Sequence, residues 1–336
     1  MKVTIKDIAR KAGVSVTTVS RVINNKPDVS SDTKRKVEKI IDETNYQPNT
    51  IARGLVLQKS YTIGLIIPDI SNPFFPEVAR GIEDELRKEG YSVIFCNTDN
   101  RKTWEKESID LLRSKQVDGM ILSLSYENCG EIFKLEKEGF PVVQLDRLVE
   151  GSSVPSIAID NTESAYKAAE YLISKGHKRI AHITGDIDTN TGRCRADGFK
   201  RALEDYNINL SDKFYIKGDY SRSSGYYSMK KILKSEELPT AVFTGNDLMA
   251  LGVYEAIFDA GLEIPDDISV FGHDDIDLAS LIRPGLTTMR QPKYRIGKLA
   301  AEVLLGIINK NKAPNLTEVV LKTELIERES VKSLLD

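Results

Sequence analysis

The sequence predicts an all-α head in residues 1–60 followed by a large α/β body of two lobes built on parallel sheets. Three observations predict it. Short apolar stripes at helical spacing fill residues 4–44 and are broken by a glycine turn. From Tyr61 onward, apolar strand-like runs alternate with amphipathic helical stretches, in two successive series. The charge also changes sign: residues 1–60 carry twelve Lys and Arg against six Asp and Glu, a net of +6, and the remainder carries 35 against 44, a net of −9. A basic head on an acidic body suits a polyanionic partner.

In the head, Thr4 followed by Asp7 forms a capping-box pattern, and Ile5, Ile8, Ala9 and Ala12 share one helix face. Gly13 supplies a turn, and Ser15 is a suitable N-cap for a second helix over residues 16–24. Val19, Val22 and Ile23 face inward there, leaving Thr17, Thr18, Ser20 and Arg21 outward. Ser31 and Asp32 open a third helix with Val37, Ile40 and Ile41 as its stripe. Two short helices around a tight turn, then a third, follow the helix-turn-helix plan. A three-helix bundle used for protein contacts fits the same pattern. In the first reading the second helix enters the major groove. Arg21 is then able to pair with guanine, a contact worth about 1–3 kcal/mol of discrimination. Methyl groups of Val16, Thr17 and Thr18 are placed for thymine, while Lys2, Lys34, Arg35 and Tyr46 suit phosphates. Pro48 ends the next stretch, and Asn49 caps a short helix over residues 50–57. So short a helix is marginal alone and orders only when braced, as a switchable hinge.

In the body, strands are expected at residues 63–68, 91–97, 119–124 and 141–146, then at 179–184, 214–217, 241–244 and 268–271. Helical stretches between them imply parallel sheets with right-handed crossovers. Ligands of such sheets sit beyond the carboxyl ends of the strands. Those ends carry Asn72-Pro-Phe-Phe75, Asp146-Arg147, Arg193-x-Arg195, Asp219-Tyr220, Asn246-Asp247, His273-Asp-Asp275 and Gln291. Carboxylates and amides for hydroxyls, arginine forks and aromatic faces are the mixture that a sugar requires. Each residue taken alone fits better as a strand-end turn or a helix cap; their recurrence at seven strand ends points to a pocket.

The run T-I-K-D-I-A-x-x-A-G-V-S-x-x-T-V-S-R-V-I-N, then V-S-x-x-T, then N-Y-x-P-N-x-x-A-R-x-L, over residues 3–55, strongly resembles the lactose-repressor (LacI/GalR) family. The resemblance implies a homodimer that reads a near-palindromic operator in double-stranded DNA. It places base-reading contacts at Val16, Thr17 and Arg21, and a minor-groove wedge at Leu55. It also implies a body with the periplasmic sugar-binding-protein fold over residues 61–328, with connecting strands near 158–162, 288–292 and 318–324. The implied division is a helix-turn-helix at 1–48, a hinge and linker at 49–60, and an effector domain at 61–336. Its first lobe covers about 61–160 and 291–320, and its second about 161–290 and 321–336. N-P-F-F at 72–75, L-D-R at 145–147, F-T-G-N-D at 243–247, D-D-I-x-L-A-S at 274–280 and L-T-T-M-R-Q-P at 286–292 are similar to the ribose-responsive members and to ribose-binding proteins. The implied effector set is Asn72, Phe74, Phe75, Asp146, Arg147, Arg195, Asn246, Asp274 and Gln291, with Tyr220 in place of a phenylalanine. Phe74 and Phe75 are expected to sandwich the sugar ring. His273 stands where a tyrosine is usual, and Thr189 where the purine-responsive members carry an arginine.

Other classes fit poorly. No apolar run approaches the ~20 residues needed to span a bilayer, and the N-terminus lacks a secretory h-region. The three cysteines, Cys96, Cys129 and Cys194, form no C-x-x-C, so neither disulfides nor a metal site are expected, and the reading is cytoplasmic. No H-E-x-x-H, G-x-S-x-G or phosphate loop occurs. Tyr226-x-x-x-Lys230 matches a dehydrogenase pair without the glycine-rich turn that accompanies it. His177, after Lys175-Gly176, reads as a surface helix end. The expectation is therefore a regulator with no catalytic activity and no cofactor, controlled by a small sugar, with a ribose-like pentose favoured. The alternative is a catabolite control regulator that answers to a phosphorylated partner protein. A free sugar-transport protein fits residues 61–336 but not the basic head.

Overall fold

The structure is a computed structural model and describes residues 3–23, 26–46, 59–124, 130–149, 151–309 and 318–335. The expected hinge helix at 50–57 lies outside the described residues. The chain divides into two units, residues 1–60 and 61–336. No helix among the described residues is long and apolar enough to cross a membrane.

The first unit contains α1 (Ile5–Ala12), α2 (Val16–Ile23) and α3 (Ser31–Thr44). The Thr4–Asp7 capping box forms: the Thr4 hydroxyl accepts from the Asp7 amide, and the Asp7 carboxylate accepts from the Thr4 amide at 3.0 Å. Gly13 ends α1 with φ 66°, a left-handed conformation that costs glycine least. Ser15 Oγ accepts from the Thr18 amide at 3.0 Å and so starts α2. Ser30, one residue earlier than expected, caps α3. The helices close on Ile8, Ala9 and Ala12 from α1, Val19 and Val22 from α2, and Val37 from α3, all buried. Ile5, Ile23, Ile40 and Ile41 pack around this centre, partly buried.

The second unit holds two six-stranded sheets. The first runs β11 (Glu318–Leu321), β5 (Ser156–Ile159), β4 (Val142–Leu145), β3 (Gly119–Leu122), β1 (Thr62–Ile67), β2 (Ser92–Asn97), parallel throughout. The second runs β12 (Glu324–Ile326), β10 (Thr287–Arg290), β9 (Ser269–Asp274), β8 (Ala241–Thr244), β6 (Ile180–Ile183), β7 (Tyr215–Ile216). Its edge departs from the expected parallel arrangement: β12 pairs antiparallel with β10, because only Lys322 and Thr323 separate it from β11 in the other sheet. The chain thus passes between sheets after β5, after β10 and after β11.

Helices cover both faces of each sheet, so the strands are apolar on both sides. Ile63, Leu65 and Ile67 of β1 pack toward α4 (Phe74–Lys88) and α12 (Lys293–Ile308). Ile66 packs on the opposite face with Ile109 and Leu112 of α5 (Lys102–Ser114) and with Ile132 and Leu135 of α6 (Gly130–Lys137). That split follows the two-residue period of a strand. α4 and α12 cross closely at two glycines. A Cβ on Gly81 would lie 2.1 Å from the Tyr294 carbonyl oxygen, and one on Gly297 2.0 Å from that of Val78. In the second lobe, α7 (Asn161–Ser174) and α8 (Asn190–Asp205) cover one face. α9 (Arg222–Ile232) and α10 (Asp247–Asp259) cover the other, and the short α11 (Asp277–Leu281) follows β9.

His177 is fully buried, contrary to the surface reading. Its Nδ1 lies 3.0 Å from Thr240 Oγ1 and its Nε2 3.1 Å from the Lys332 carbonyl oxygen. The C-terminal segment covers it, a contact across more than 150 residues that local polarity does not reveal.

Candidate functional site

The strand ends of both sheets converge on a cavity. From the first lobe, Asn72 sits in the turn after β1, where its Oδ1 accepts from the Phe74 amide at 3.1 Å and sets the start of α4. Phe74 and Phe75 therefore open that helix, both buried. Asp146 and Arg147 follow β4, Asp146 with φ 62°. Arg147 Nη1 donates to Asn100 Oδ1 at 2.8 Å.

From the second lobe, Thr189 caps α8 by accepting from the Gly192 amide at 3.2 Å. That cap sets Thr191 and Arg195 one turn apart. Arg195 is buried, and its Nε donates to Asn161 Oδ1 at 2.8 Å and its Nη1 to the Gly245 carbonyl at 2.6 Å. Tyr220 follows β7, with its hydroxyl 3.1 Å from Thr191 Oγ1. Asn246 caps α10 through Oδ1 and donates from Nδ2 to the Tyr220 carbonyl at 3.2 Å. Asp274 ends β9, and Gln291 lies just after β10 where the chain returns to the first lobe.

All ten residues expected at the effector site, from Asn72 to Gln291, line this cavity together with Thr191. Sequence reasoning missed Thr191; the available signal was its position one helical turn before Arg195. The Thr189 hydroxyl, which accepts in that cap, also donates to the Asp186 carbonyl at 2.6 Å. The phenylalanine sandwich does not form. The Phe74 and Phe75 rings touch each other edge to face, with centroids 5.0 Å apart and planes at 89°, so nothing fits between them. Tyr220 is the aromatic side chain that the second lobe contributes to the lining. The Tyr226–Lys230 pair lies on exposed α9, where the Lys230 ammonium donates to the Tyr226 hydroxyl at 3.2 Å, outside the lining.

Several polar groups of the cavity lack hydrogen-bond partners among the described residues. The Asp146 carboxylate is 7% exposed and receives no hydrogen bond among the described residues. Burial pushes its pKa up to about 6, against the opposing charges of Arg195 and Arg147. Gln291 Nε2 donates to Asp274 Oδ1 at 2.8 Å, which leaves Gln291 Oε1 buried without a partner. Burial pulls the Asp274 pKa upward, but the His273 hydrogen bond and the Arg195 charge outweigh it and keep the carboxyl below its ordinary range. Behind the cavity, burial pushes Asp247 up to about 7, with the charge of Asp274 adding to it. Toward solvent, an outer cavity of about 660 Å³ shares Asn72, Phe75, Arg147 and Tyr220 and adds Asp69, Asp99, Asp186 and Asp219. Among the described residues no three His, Cys, Asp or Glu side chains gather as a metal site.

In the head, Val16, Thr17 and Arg21 lie on the exposed face of α2, Val16 at 40% exposure. Arg21 pairs with Asp28 and holds that carboxyl below its ordinary pKa. Thr18 is half-buried, with Oγ1 2.9 Å from the Ser15 hydroxyl, so the helix start uses it. Tyr46 is half-buried against the head core, and burial raises its pKa. Lys34 lies 3.8 Å from Glu38, and Arg35 is exposed. Leu55 and Lys2 lie outside the described residues.

Residues 4–49 match the family of bacterial regulatory proteins described as the lacI family, and residues 169–331 match the periplasmic binding protein-like domain. The chain is 40% identical over 311 residues to catabolite control protein A of Priestia megaterium, across 92% of this chain and 94% of that one. It is equally 40% identical over 308 residues to the ribose operon repressor of Escherichia coli K12, across 90% and 92%. To the transcriptional repressor PurR of Vibrio atlanticus it is 39% identical over 333 residues, across 98% and 99%. Among solved structures, the lac repressor dimer bound to operator and the anti-inducer ONPF superposes with a TM-score of 0.90 at 28% identity, over 99% of this chain and all of that one. A lacI-family regulator from Enterococcus faecium with bound ribose superposes at 0.74 with 33% identity, over 82% of this chain and all of that one. A helix-turn-helix head, a two-lobed body with ligand-type groups at its strand ends, and these likenesses along nearly the whole length lead to one assignment: the chain is a DNA-binding transcriptional regulator of the lacI family.

Proposed function

We propose that this regulator is a cytoplasmic, homodimeric repressor whose grip on operator DNA is set by a small neutral sugar, a ribose-like pentose, held between its lobes. The observation that carries the reading is the set of acceptors at the cavity that no donor among the described residues meets: the Asp146 carboxylate, Asp274 Oδ2 and the buried Gln291 Oε1. Burying acceptors without donors costs free energy. A polyhydroxylated ligand supplies hydroxyls that donate to these acceptors, and Phe74, Phe75 and Tyr220 supply faces for its C–H groups. The carboxylates at the outer mouth disfavour an anionic ligand.

A ligand here touches both lobes, so it binds best when they are close together, and its differential affinity sets how far the equilibrium moves. The first-lobe halves of a dimer then shift relative to each other. Hinge segments at 49–60 pack or separate, and Leu55 engages or leaves the minor groove. Val16, Thr17 and Arg21 read bases, Thr18 orders the start of the recognition helix, and Tyr46 braces the head near the backbone. Release of DNA on sugar binding is the favoured sign. Apolar surface supports self-association. Leu65, Ala79, Tyr91 and exposed Phe95 line a groove between α4 and edge strand β2, and Tyr227, Phe258 and Leu281 are exposed in the second lobe.

Calorimetry of the purified chain against ribose, other pentoses, hexoses and purine bases tests the ligand class. Pentose binding supports the proposal, whereas purine binding alone removes it. The equal identity to catabolite control protein A favours a second reading, in which a phosphorylated partner protein is the signal. That reading prevails if only such a protein changes operator affinity.

A further inference from the structure

We infer that His273 and Ser164 are positioning residues for the effector: they form a hydrogen-bond relay that fixes Asp274 Oδ1 and leaves Oδ2 facing the ligand. The inference rests on the sugar reading of the cavity and specifies how one of its carboxylates is aimed.

The His273 side chain is 0% exposed and lies behind the cavity on β9, outside its lining. Its Nε2 is 2.9 Å from Ser164 Oγ, and its Nδ1 is 3.1 Å from Asp274 Oδ1. The direction of the protons follows from the chemistry of the three groups. An ionised carboxylate only accepts, so Nδ1 carries the hydrogen. Burial and the charge of Arg195 push the His273 pKa down to about 4, so the imidazole is neutral and Nε2 presents a lone pair. The Ser164 hydroxyl must then donate to Nε2. Ser164 thereby selects the tautomer that donates to Asp274.

The relay is needed because Asp274 is otherwise poorly held. Its φ of 119° is a conformation that side-chain-bearing residues rarely adopt, and strained positions persist only when their surroundings over-determine them. Lys293 holds the backbone, donating to the carbonyls of Asp274 and Asp275 at 3.1 and 2.6 Å. His273 and Gln291 hold the side chain, and both take Oδ1. Among the described residues nothing donates to Oδ2. Saturating one oxygen while leaving the other bare gives the carboxylate a single orientation for a ligand hydroxyl. Ser164 and Asn161, the partner of Arg195, both lie in the first turn of α7, just after the chain passes from the first sheet to the second. The aim of Asp274 is thus tied to the segment that joins the lobes.

The test is calorimetry with ribose and its monodeoxy analogues against the unaltered chain, D274N, H273F, H273N and S164A. D274N identifies the hydroxyl that Asp274 holds, as the one whose removal makes the substitution harmless. H273F is expected to weaken ribose binding about tenfold, the scale of one charge-assisted hydrogen bond. It should cost nothing against the same deoxy analogue. H273N, whose amide nitrogen stands where Nδ1 does, should restore most of the loss. S164A, a one-atom deletion, should give a smaller loss with the same analogue dependence, and it carries the test if H273F fails to fold. Equal losses across all analogues, or no loss, overturn the relay while leaving the sugar reading intact. No binding of any pentose by the unaltered chain overturns the cavity reading and the relay with it.

Discussion

Consider an acid titration of effector binding. Asp146 is buried, receives no hydrogen bond among the described residues, and has its pKa pushed up to about 6 by burial. The folded chain holds this proton more tightly than the unfolded chain does. The carboxyl therefore favours folding at low pH and loses that contribution as the pH rises through about 6. A sugar hydroxyl donating to Asp146 needs the ionised form, so binding pulls the pKa back down. A carboxyl titrating near 6 is ionised in roughly nine molecules of ten at pH 7 and roughly one of ten at pH 5. Affinity should therefore fall about tenfold across that interval, or roughly 1.4 kcal/mol. Asp274 stays ionised throughout because its pKa is lowered, and Asp247, though titrating near 7, does not line the cavity. Calorimetry of ribose at both pH values reads the effect, and D146N should bind more weakly with a flat profile. Unchanged affinity in the unaltered chain, or a D146N profile that keeps the full slope, refutes the reasoning.

Four further outcomes follow from the same geometry. R195A removes a guanidinium that serves Asn161, Gly245 and two buried carboxylates. It should abolish ligand binding and destabilise the body by about 3–5 kcal/mol, read by chemical denaturation; retained affinity excludes Arg195 from the site. R21A should cost about 1–3 kcal/mol on the specific duplex and little on a scrambled one, and D28N, which frees Arg21 from its ion pair, should raise affinity in the same anisotropy assay. L55A should weaken specific binding far more than non-specific binding, and equal losses count against the wedge. I8A empties the centre of the head at a cost of about 2–5 kcal/mol, so the helical signal of the head should melt early while pentose binding by the body persists.

The cavity was legible because a doubly wound sheet sends its ligand groups to strand ends, and strand ends are visible as the last polar residues of apolar runs. Asp146, Asn246 and Asp274 were found that way. Thr191 was not, since it sits on a helix whose start is set by the Thr189 cap. The phenylalanine sandwich failed for a local reason: consecutive residues at a helix start contact each other and share no gap. The burial of His177 and the antiparallel β12 depend on where the C-terminal segment returns, and neighbouring residues carry no record of that. In the head, helix periods and caps were plain, but the engagement of Thr18 with Ser15 made it a cap partner as much as an outward residue.

The most direct measurement selects genomic duplexes with the purified chain and then titrates the best of them with ribose present and absent. The account predicts a near-palindromic site with half-sites about 34 Å apart, bound less tightly as steep salt dependence sets in and released further by pentose. A chain that enriches no duplex, or whose hold on its duplex is the same whatever sugar is supplied, would contradict it.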